Sequence, residues 1–249
     1  MKLSVIIIAK DAEELIVDAI MSVKFADEII VIDGGSKDRT ADAAKRERAT
    51  VFEHASRDFS DMRNYGLEKA KGDWVLYIDT DERVTEELVS SIKYQVSREK
   101  NNEFSAFRIK RKNFYLGNHA WPHIEKMERL FKKEKLKGWQ GELHETPMID
   151  GNVGDLDGFL LHYTHRNLFL MLEKTNIWSE KEAILRLKTN HPKMTWWRFP
   201  RVMITAFYDS YIKQKGYKAG TAGIIESLYQ SFSIFVTYAK LWELQQRLK

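Results

Sequence analysis

Short apolar segments alternate with longer amphipathic segments over the first hundred residues. The apolar runs are residues 3–8, 28–33, 50–53 and 74–79, and helical spacing covers residues 12–23, 38–48 and 60–70. This alternation predicts βαβ units and a parallel sheet. Thr85, followed by Glu86 and Glu87, predicts the start of a further helix, because a hydroxyl caps exposed amides and acids favour the first turn.

The pattern changes after residue 100. Residues 104–110, 113–116 and 127–131 predict strands of a mixed region interrupted by Gly117, Gly138 and Gly141. Beyond residue 162 the chain is helical and rich in aromatic residues, with breaks at residues 190–192, Pro200 and residues 216–223. The sequence therefore predicts an α/β region, a mixed middle and a helical C-terminal extension.

Composition narrows the classes of function. With 43% hydrophobic and 31% charged residues among 249, the chain has the balance of a soluble globular protein. It contains no cysteine, which excludes disulfides, thiolate nucleophiles and Cys-ligated metals. The apolar run near the N-terminus is too short for a signal peptide, and no uncharged stretch approaches the ~20 residues of a membrane span. We therefore expect a cytoplasmic protein, in solution or peripheral on the inner membrane.

Acidic residues follow three of the predicted strands. Asp11, Asp33 and the group Asp79, Asp81 and Glu82 stand where ligands bind in a parallel sheet, outside the carboxyl ends of its strands. Any one of these acids could equally cap a helix or fill a turn. Because Thr85 supplies the next helix cap, Asp79 and Asp81 have no evident structural role, and their spacing suits a Mg²⁺ or Mn²⁺ ion.

Four segments carry a resemblance to a known family. They are residues 3–14, 29–40, 62–67 and 72–82, which include Asp33-Gly34-Gly35-Ser36 and Asp79-Thr80-Asp81-Glu82. In order and spacing they resemble the family-2 glycosyltransferases of the GT-A fold, and among them the bacterial lipopolysaccharide inner-core β-1,4-glucosyltransferases. The family usually has Asn-Glu-Glu after its first strand, where this chain has Asp11-Ala12-Glu13-Glu14.

The resemblance covers about residues 3–165 and implies a domain organisation. Residues 1–165 would form a GT-A catalytic domain, a Rossmann-like mixed sheet with a nucleotide-binding half at 1–100 and an acceptor half at 101–165. Residues 166–249 would form a helical, basic and aromatic extension.

The resemblance also implies site residues. The donor, a UDP-sugar, would be bound by six residues: Asp11, Glu13, Asp33, Ser36, Arg63 and Asp79. A Mg²⁺ or Mn²⁺ cofactor would be held by Asp79, Asp81 and His162, with His165 as the competing histidine. Arg129, in the strand before the next motif, is interpreted as an ion-pair partner.

An inverting transfer needs a base for the acceptor hydroxyl. The segment Gly138–Glu145 resembles the family's motif that ends in His-Glu, so Glu145 is predicted as base with His144 orienting it, and Glu142 as the alternative. In an extended segment Glu142 and His144 share one face and Glu145 takes the other. The competing interpretation is a surface strand with solvated acids.

The extension concentrates the positive charge. Residues 196–249 hold eight Lys or Arg and three acids, whereas the whole chain carries a net charge of only +4, too small to indicate nucleic acid. Aromatic helices with basic edges suit an anionic membrane surface. Ordinary packing against the catalytic domain and a homodimer interface are the competing interpretations.

The sequence thus predicts an inverting, metal-dependent transferase that moves a sugar, predicted to be glucose, from a UDP-sugar to an acceptor hydroxyl. The expected acceptor is lipid-linked, in the lipopolysaccharide inner core. One alternative is a nucleotidyltransferase, although it would need a glycine-rich basic loop where residues 10–13 are largely acidic. Another is a non-catalytic carbohydrate- or membrane-binding module, which has no need to concentrate acids at a sheet edge.

Overall fold

The structure is a computed structural model that describes residues 2–56, 58–98, 103–141 and 145–247. The chain forms two compact units. The first unit comprises Met1–Lys112 and Glu125–His162, and the second comprises Asn113–Ile124 and Tyr163–Lys249.

Ten strands and seven α-helices lie in the described ranges. The strands are β1 (Leu3–Ala9), β2 (Glu28–Asp33), β3 (Thr50–Glu53), β4 (Trp74–Asp79), β5 (Glu82–Val84), β6 (Phe104–Tyr115), β7 (His119–Lys132), β8 (Leu136–Gln140), β9 (Thr146–Ile149) and β10 (Asn152–Tyr163). The helices are α1 (Glu13–Ser22), α2 (Thr40–Arg46), α3 (Phe59–Lys69), α4 (Glu86–Ser97), α5 (Leu168–Lys188), α6 (Arg198–Tyr208) and α7 (Gly220–Arg247).

The strands form a large mixed sheet and a small one. Within the described residues the large sheet has eight strands in the order β3-β2-β1-β4-β7-β6-β10-β5, and β8 pairs with β9 in the second sheet. Strands β3, β2, β1 and β4 are mutually parallel, whereas β7 runs antiparallel to β4. The register places Asp33 beside Ala9 and Asp79 beside Ile8, so both aspartates stand at one edge of the sheet.

The core of the first unit occupies both faces of this sheet. All seven residues of β1 are buried, as expected of a central parallel strand. Val5 and Ile7 belong to a cluster that includes the apolar faces of α1 and α4. Ile6 and Ile8 belong to a second cluster, with Met62 of α3 and residues of β4, β7 and β8. The alternation of side chains along β1 thus fixes α3 on one face of the sheet.

The elements predicted in the first hundred residues are confirmed, including the Thr85 cap, whose hydroxyl accepts a hydrogen bond from the Leu88 amide. The mixed region differs from its prediction. The two strands predicted at residues 104–110 and 113–116 are one strand, β6, which ends at Tyr115. Its charged residues obscured it: Arg108 pairs with Asp155 and Arg111 with Glu125. The pattern also missed β5, β8, β9 and most of β10, which are short or rich in polar residues.

The second unit is mainly helical. Helices α5 and α6 both pack on α7. A π-helical turn (Asp209–Lys213) and a 3₁₀ turn (Gly216–Ala219) join α6 to α7. The predicted break at residues 216–223 corresponds to this junction, where a Cβ on Gly223 would lie 1.9 Å from the carbonyl oxygen of Gly216. No helix among the described residues combines the length and the apolar character required to span a bilayer.

Candidate active site

The carboxyl ends of β1 and β2 bring four predicted donor-binding residues together. Asp33 is buried, and its carboxylate accepts hydrogen bonds from the amide and the hydroxyl of Ser36. The Asp11 amide donates to Ser36 Oγ at 2.9 Å, and Asp11 Oδ1 accepts from the Lys37 amide at 2.7 Å. Asp11 and Ser36 therefore join the two strand ends in one network.

Glu13 extends this network at the start of α1. Its carboxylate accepts a hydrogen bond from the Arg39 amide at 2.9 Å, and its own amide donates to Asp38 Oδ2 at 3.0 Å. The acids of this edge are thus held largely by backbone amides and hydroxyl groups. We refer to Asp11, Glu13, Asp33 and Ser36 as the amide-held edge.

Asp79, at the end of β4, lies between two arginines. Arg63 Nη2 is 3.1 Å from Asp79 Oδ1, and Arg129 Nη2 is 2.8 Å from Oδ2. Burial opposes ionisation of this carboxyl, but the charges of Arg129 and Arg63 outweigh it and hold its pKa well below the usual range. The expectation that Asp79 lacks a structural role is therefore wrong, because each of its oxygens binds an arginine. Arg129 is an ion-pair partner, as predicted.

Glu82 completes this charged cluster, and the sequence did not assign it a role. Its side chain is fully buried and accepts hydrogen bonds from Arg129 at 3.1 Å, Arg111 at 3.3 Å and the Asp79 amide at 2.9 Å. Burial disfavours the charged form of Arg129, yet Asp79 and Glu82 raise its pKa above the ordinary value. We refer to Arg63, Asp79, Glu82, Arg111 and Arg129 as the arginine-held cluster.

The predicted base lies beside this cluster. Glu145 Oε1 is 3.8 Å from Arg63 Nε, so Arg63 contacts both Asp79 and Glu145. The Nε and Nη1 groups of Arg63 are buried and have no hydrogen-bond acceptor among the described residues. Glu142 and His144, the other predicted residues of this motif, lie outside the described residues.

Helix α3 holds the backbone of residues 139–141. The Asn64 side chain donates to the Trp139 carbonyl at 3.0 Å and accepts from its amide at 2.7 Å. Ser60 Oγ donates to the Gly141 carbonyl at 2.6 Å. The guanidinium of Arg63 lies 4.8 Å from the centre of the Trp139 ring. The sequence pattern did not indicate a supporting role for Ser60, Asn64 or Trp139. The available signal was Asn64, whose amide side chain directly follows Arg63.

Of the three predicted metal ligands, Asp81 and His162 contact each other, whereas Asp79 is bound by arginines. His162 Nε2 is 3.2 Å from Asp81 Oδ2, because β10 pairs with β5 and sets His162 opposite Glu82. Two neighbouring ligands of one octahedral Mg²⁺ or Mn²⁺ ion lie about 3 Å apart, so this pair fits a divalent cation. No group of three metal-binding side chains occurs among the residues that the structure describes. Asp79 is held by arginines, and His165 belongs to the second unit, where it contacts Glu226 at 3.0 Å.

These features define a class of protein: an α/β protein with acids at the carboxyl ends of parallel strands, the edge at which such sheets bind ligands. The model of the family described as glycosyl transferase family 2 matches residues 4–149. The chain belongs to this family, which makes it a transferase that uses nucleotide-sugars. The predicted resemblance and the GT-A class of fold are thereby confirmed.

Curated relatives span almost the whole chain. A protein of Rickettsia prowazekii named as an uncharacterized glycosyltransferase is 27% identical, over 98% of this chain and 87% of its own length. LpsC of Rhizobium meliloti, named as a lipopolysaccharide core biosynthesis glycosyltransferase, is 25% identical, over 97% of this chain and 92% of its own length.

Solved structures also match. A Mycobacterium tuberculosis glucosyl-3-phosphoglycerate synthase, in complex with Mn²⁺, UDP and glucosyl-3-phosphoglycerate, aligns with a TM-score of 0.39 and 20% identity over 54% of this chain and 58% of that one. TarS of S. aureus aligns with a TM-score of 0.49 and 14% identity over 100% of this chain and 92% of that one.

Proposed function

We propose that the protein is an inverting, metal-dependent hexosyltransferase that moves glucose from UDP-glucose to an acceptor hydroxyl of the lipopolysaccharide inner core. The observation that carries this proposal is the position of Glu145, whose carboxylate lies 3.8 Å from the same arginine that binds Asp79. With these roles, the base and a donor-side acid would share one site. The name of the Rhizobium meliloti relative, which matches 97% of the chain, supports the choice of acceptor.

Glu145 would act as general base. As the acceptor oxygen bonds to the anomeric carbon of the sugar, its proton would pass to the Glu145 carboxylate. The bond between the anomeric carbon and the phosphate oxygen would break, and the nucleoside diphosphate would leave with that electron pair. Attack from the face opposite the diphosphate inverts the configuration. Ser60 and Asn64 would support this step, since they fix the backbone that precedes Glu145.

The amide-held edge would bind the nucleoside. Asp33 is buried and stands at the end of β2, where a uracil or ribose group can donate hydrogen bonds to its carboxylate. Arg63 keeps two buried N–H groups without an acceptor among the described residues, and a phosphate or sugar oxygen would satisfy them. The donor would therefore extend from Asp33 towards Arg63.

Asp81 and His162 would hold the cation. Their donor atoms are one carboxylate oxygen and one imidazole nitrogen, a set that Mn²⁺ and Mg²⁺ accept when diphosphate and water complete the coordination. When bound, a divalent cation neutralises negative charge on a departing diphosphate. Asp79 would position Arg63 and Arg129 beside the donor.

The test separates donor binding from transfer. UDP-glucose binding is measured by calorimetry with MnCl₂, and transfer is measured with purified inner-core oligosaccharide as acceptor. The Glu145→Gln variant is expected to bind donor within about twofold of the original chain and to lose about 100-fold or more of the transfer rate. The matched control is Glu134→Gln, an exposed glutamate in the 3₁₀ turn of residues 133–135, which should change neither value.

The same assays include a metal arm. Asp81→Ala should remove the Mn²⁺ dependence of UDP binding, whereas an unchanged Mn²⁺ dependence would contradict the assignment of Asp81. Full transfer by Glu145→Gln would assign the base to another residue. Binding of other nucleotide-sugars in preference to UDP-glucose would correct the donor. Release of pyrophosphate from a nucleoside triphosphate in place of sugar transfer would favour the nucleotidyltransferase alternative.

A further inference from the structure

The outer face of α6 is apolar and exposed. Trp197, Ile204, Tyr208 and Ile212 follow one another at intervals of seven, four and four residues, which places them on one side of α6 and the π-helical turn after it. Trp196, at the start of this face, is 82% exposed and Ile204 is 69% exposed. We refer to these five residues as the α6 face.

The opposite side of α6 packs against α7 and fixes the orientation of the helix. The rings of Phe199 and Phe235 lie 5.9 Å apart, and Ser231 Oγ donates to the Met203 carbonyl at 3.0 Å. No residue of α6 itself is buried within the described part of the chain. The helix therefore packs by one side only, and its larger apolar side chains remain in contact with solvent.

The sequence of α6 and the turns after it is rich in cations and poor in acids. Arg198, Arg201, Lys213, Lys215 and Lys218 stand between residues 196 and 219, where the only acid is Asp209. Asp209 pairs with Lys213 at 2.6 Å. The other four cations have no carboxylate partner among the residues that the structure describes. Residues 196–219 thus carry a net positive charge that ion pairs within the described part of the chain do not neutralise.

Cationic and aromatic groups also contact each other directly. The guanidinium groups of Arg198 and Arg201 lie 5.0 Å and 6.0 Å from the centre of the Trp197 ring. Lys213 Nζ lies 5.8 Å from the centre of the Tyr208 ring. Tryptophan and tyrosine with adjacent basic groups are typical of the headgroup level of a membrane, where the rings meet acyl chains and the cations meet lipid phosphates.

We propose that the α6 face binds the surface of an anionic lipid bilayer, with α6 parallel to the membrane plane. The sequence indicates a membrane-binding surface within residues 196–249, and this proposal assigns it to α6 and the turn after it. Helix α7 does not share the role, because its C-terminal cations are engaged within the second unit: Lys240 donates to Asn176, and Arg247 pairs with Glu243. A second copy of the chain is a poorer occupant, since two such faces would bring like charges together.

Vesicle binding tests the proposal independently of the sugar that is transferred. The full chain is sedimented with vesicles of phosphatidylcholine alone and of phosphatidylcholine with phosphatidylglycerol. The original chain should bind the anionic vesicles and be released by high salt. The triple variant Trp196→Ser, Ile204→Ser, Tyr208→Ser should bind more than about tenfold more weakly. The pair Arg201→Gln, Lys218→Gln should lose about fivefold per residue on anionic vesicles at low salt.

A matched control distinguishes this surface from general hydrophobicity. Ile177 and Ile184 are exposed on α5, so Ile177→Ser, Ile184→Ser removes apolar surface elsewhere in the second unit and should leave vesicle binding unchanged. Circular dichroism should show the same helix content in all variants. Equal binding by the triple variant, equal loss by the control, or no binding by the original chain would overturn the proposal. So would light scattering that shows a dimer abolished by the triple variant without vesicle binding.

Discussion

Two groups of acids stand at the same edge of the sheet, but they are held differently. In the amide-held edge, Asp33 and its neighbours accept hydrogen bonds mainly from backbone N–H groups and hydroxyls. In the arginine-held cluster, Asp79 and Glu82 bind guanidinium groups of Arg63, Arg111 and Arg129. In the first arrangement the acids have no ion-pair partner among the residues that the structure describes, which suits ligand donors. The second balances charge inside the protein and suits a fixed structural support.

The largest expected effect is on stability and concerns the arginine-held cluster. Glu82→Gln would leave Arg129 and Arg111 buried without one of their carboxylates, and removing one partner of a buried ion pair costs about 3–5 kcal/mol. Asp33→Asn makes the same chemical change in the amide-held edge, where the amide oxygen can still accept, so about 1 kcal/mol is expected. Urea denaturation measures both free energies of unfolding.

Equal losses for Glu82→Gln and Asp33→Asn would contradict the distinction between the two groups. If Glu82→Gln does not fold, Arg111→Met provides the second measurement, because Arg111 is the more exposed arginine of the cluster and its loss leaves Arg129 on Glu82. Its free energy of unfolding should fall below that of Asp33→Asn, by no more than about 2 kcal/mol.

A smaller effect is expected where α3 holds the segment before Glu145. Asn64→Ala removes two hydrogen bonds to Trp139, which should lower stability by about 1–2 kcal/mol. If Asn64 positions the base, kcat should fall about tenfold or more while KM for the donor changes little. The control is Ser97→Ala, which removes a hydrogen bond of the Ser97 hydroxyl within α4. It should leave kcat unchanged. A parallel change in KM and kcat would indicate a structural role only.

The smallest effect concerns Asp27, a carboxylate at the opposite end of β1 that accepts hydrogen bonds from backbone amides. Asp27 Oδ2 accepts hydrogen bonds from the Leu3 and Lys2 amides, and these lower its pKa from the ordinary value of 3.8. Because the folded chain holds the proton less tightly than the unfolded one, this stabilisation is complete above that ordinary value and is lost as the pH falls through the folded pKa.

Asp27→Asn lacks that titration. The difference in free energy of unfolding between the original chain and Asp27→Asn should therefore be larger at neutral pH than at acidic pH, and urea denaturation at both values measures it. A difference that grows on acidification would show that the amide contacts do not stabilise the ionised carboxylate.

The sequence predicted the parallel half of the fold because its signals are local. Strand β1 is a continuous apolar run, and Thr85 caps α4 through an amide three residues later. The arginine-held cluster depends instead on distant pairings: Asp79 meets Arg63 from 16 residues before it and Arg129 from 50 residues after it. No periodicity in the sequence indicates that Asp79 contacts these two arginines. For the same reason the sequence predicts a metal-binding role for Asp79 from its spacing to Asp81 and does not show that two arginines bind it.

The site residues show the same division. Asp11, Glu13, Asp33 and Ser36 converge as their strand ends predict, and His162 lies beside Asp81. Glu82, Asn64 and Trp139 stand inside the motif segments, but no pattern there marks them as supporting residues. Their importance follows from distant contacts: Asn64 hydrogen-bonds the backbone of Trp139, 75 residues away, and buried Glu82 accepts from Arg129, 47 residues away.

One turn of α3 carries Ser60, Arg63 and Asn64, which contact the Gly141 carbonyl, Glu145 and the backbone of Trp139 respectively. Any displacement of that turn shifts all three contacts at once, and Arg63 transmits the shift to Asp79 as well. If Arg63 contacts the donor and Glu145 the acceptor, as proposed, substitutions in α3 that change the sugar preference should also alter acceptor selectivity in the same variants. Independent tuning would have to begin in loops that do not pass through this helical turn.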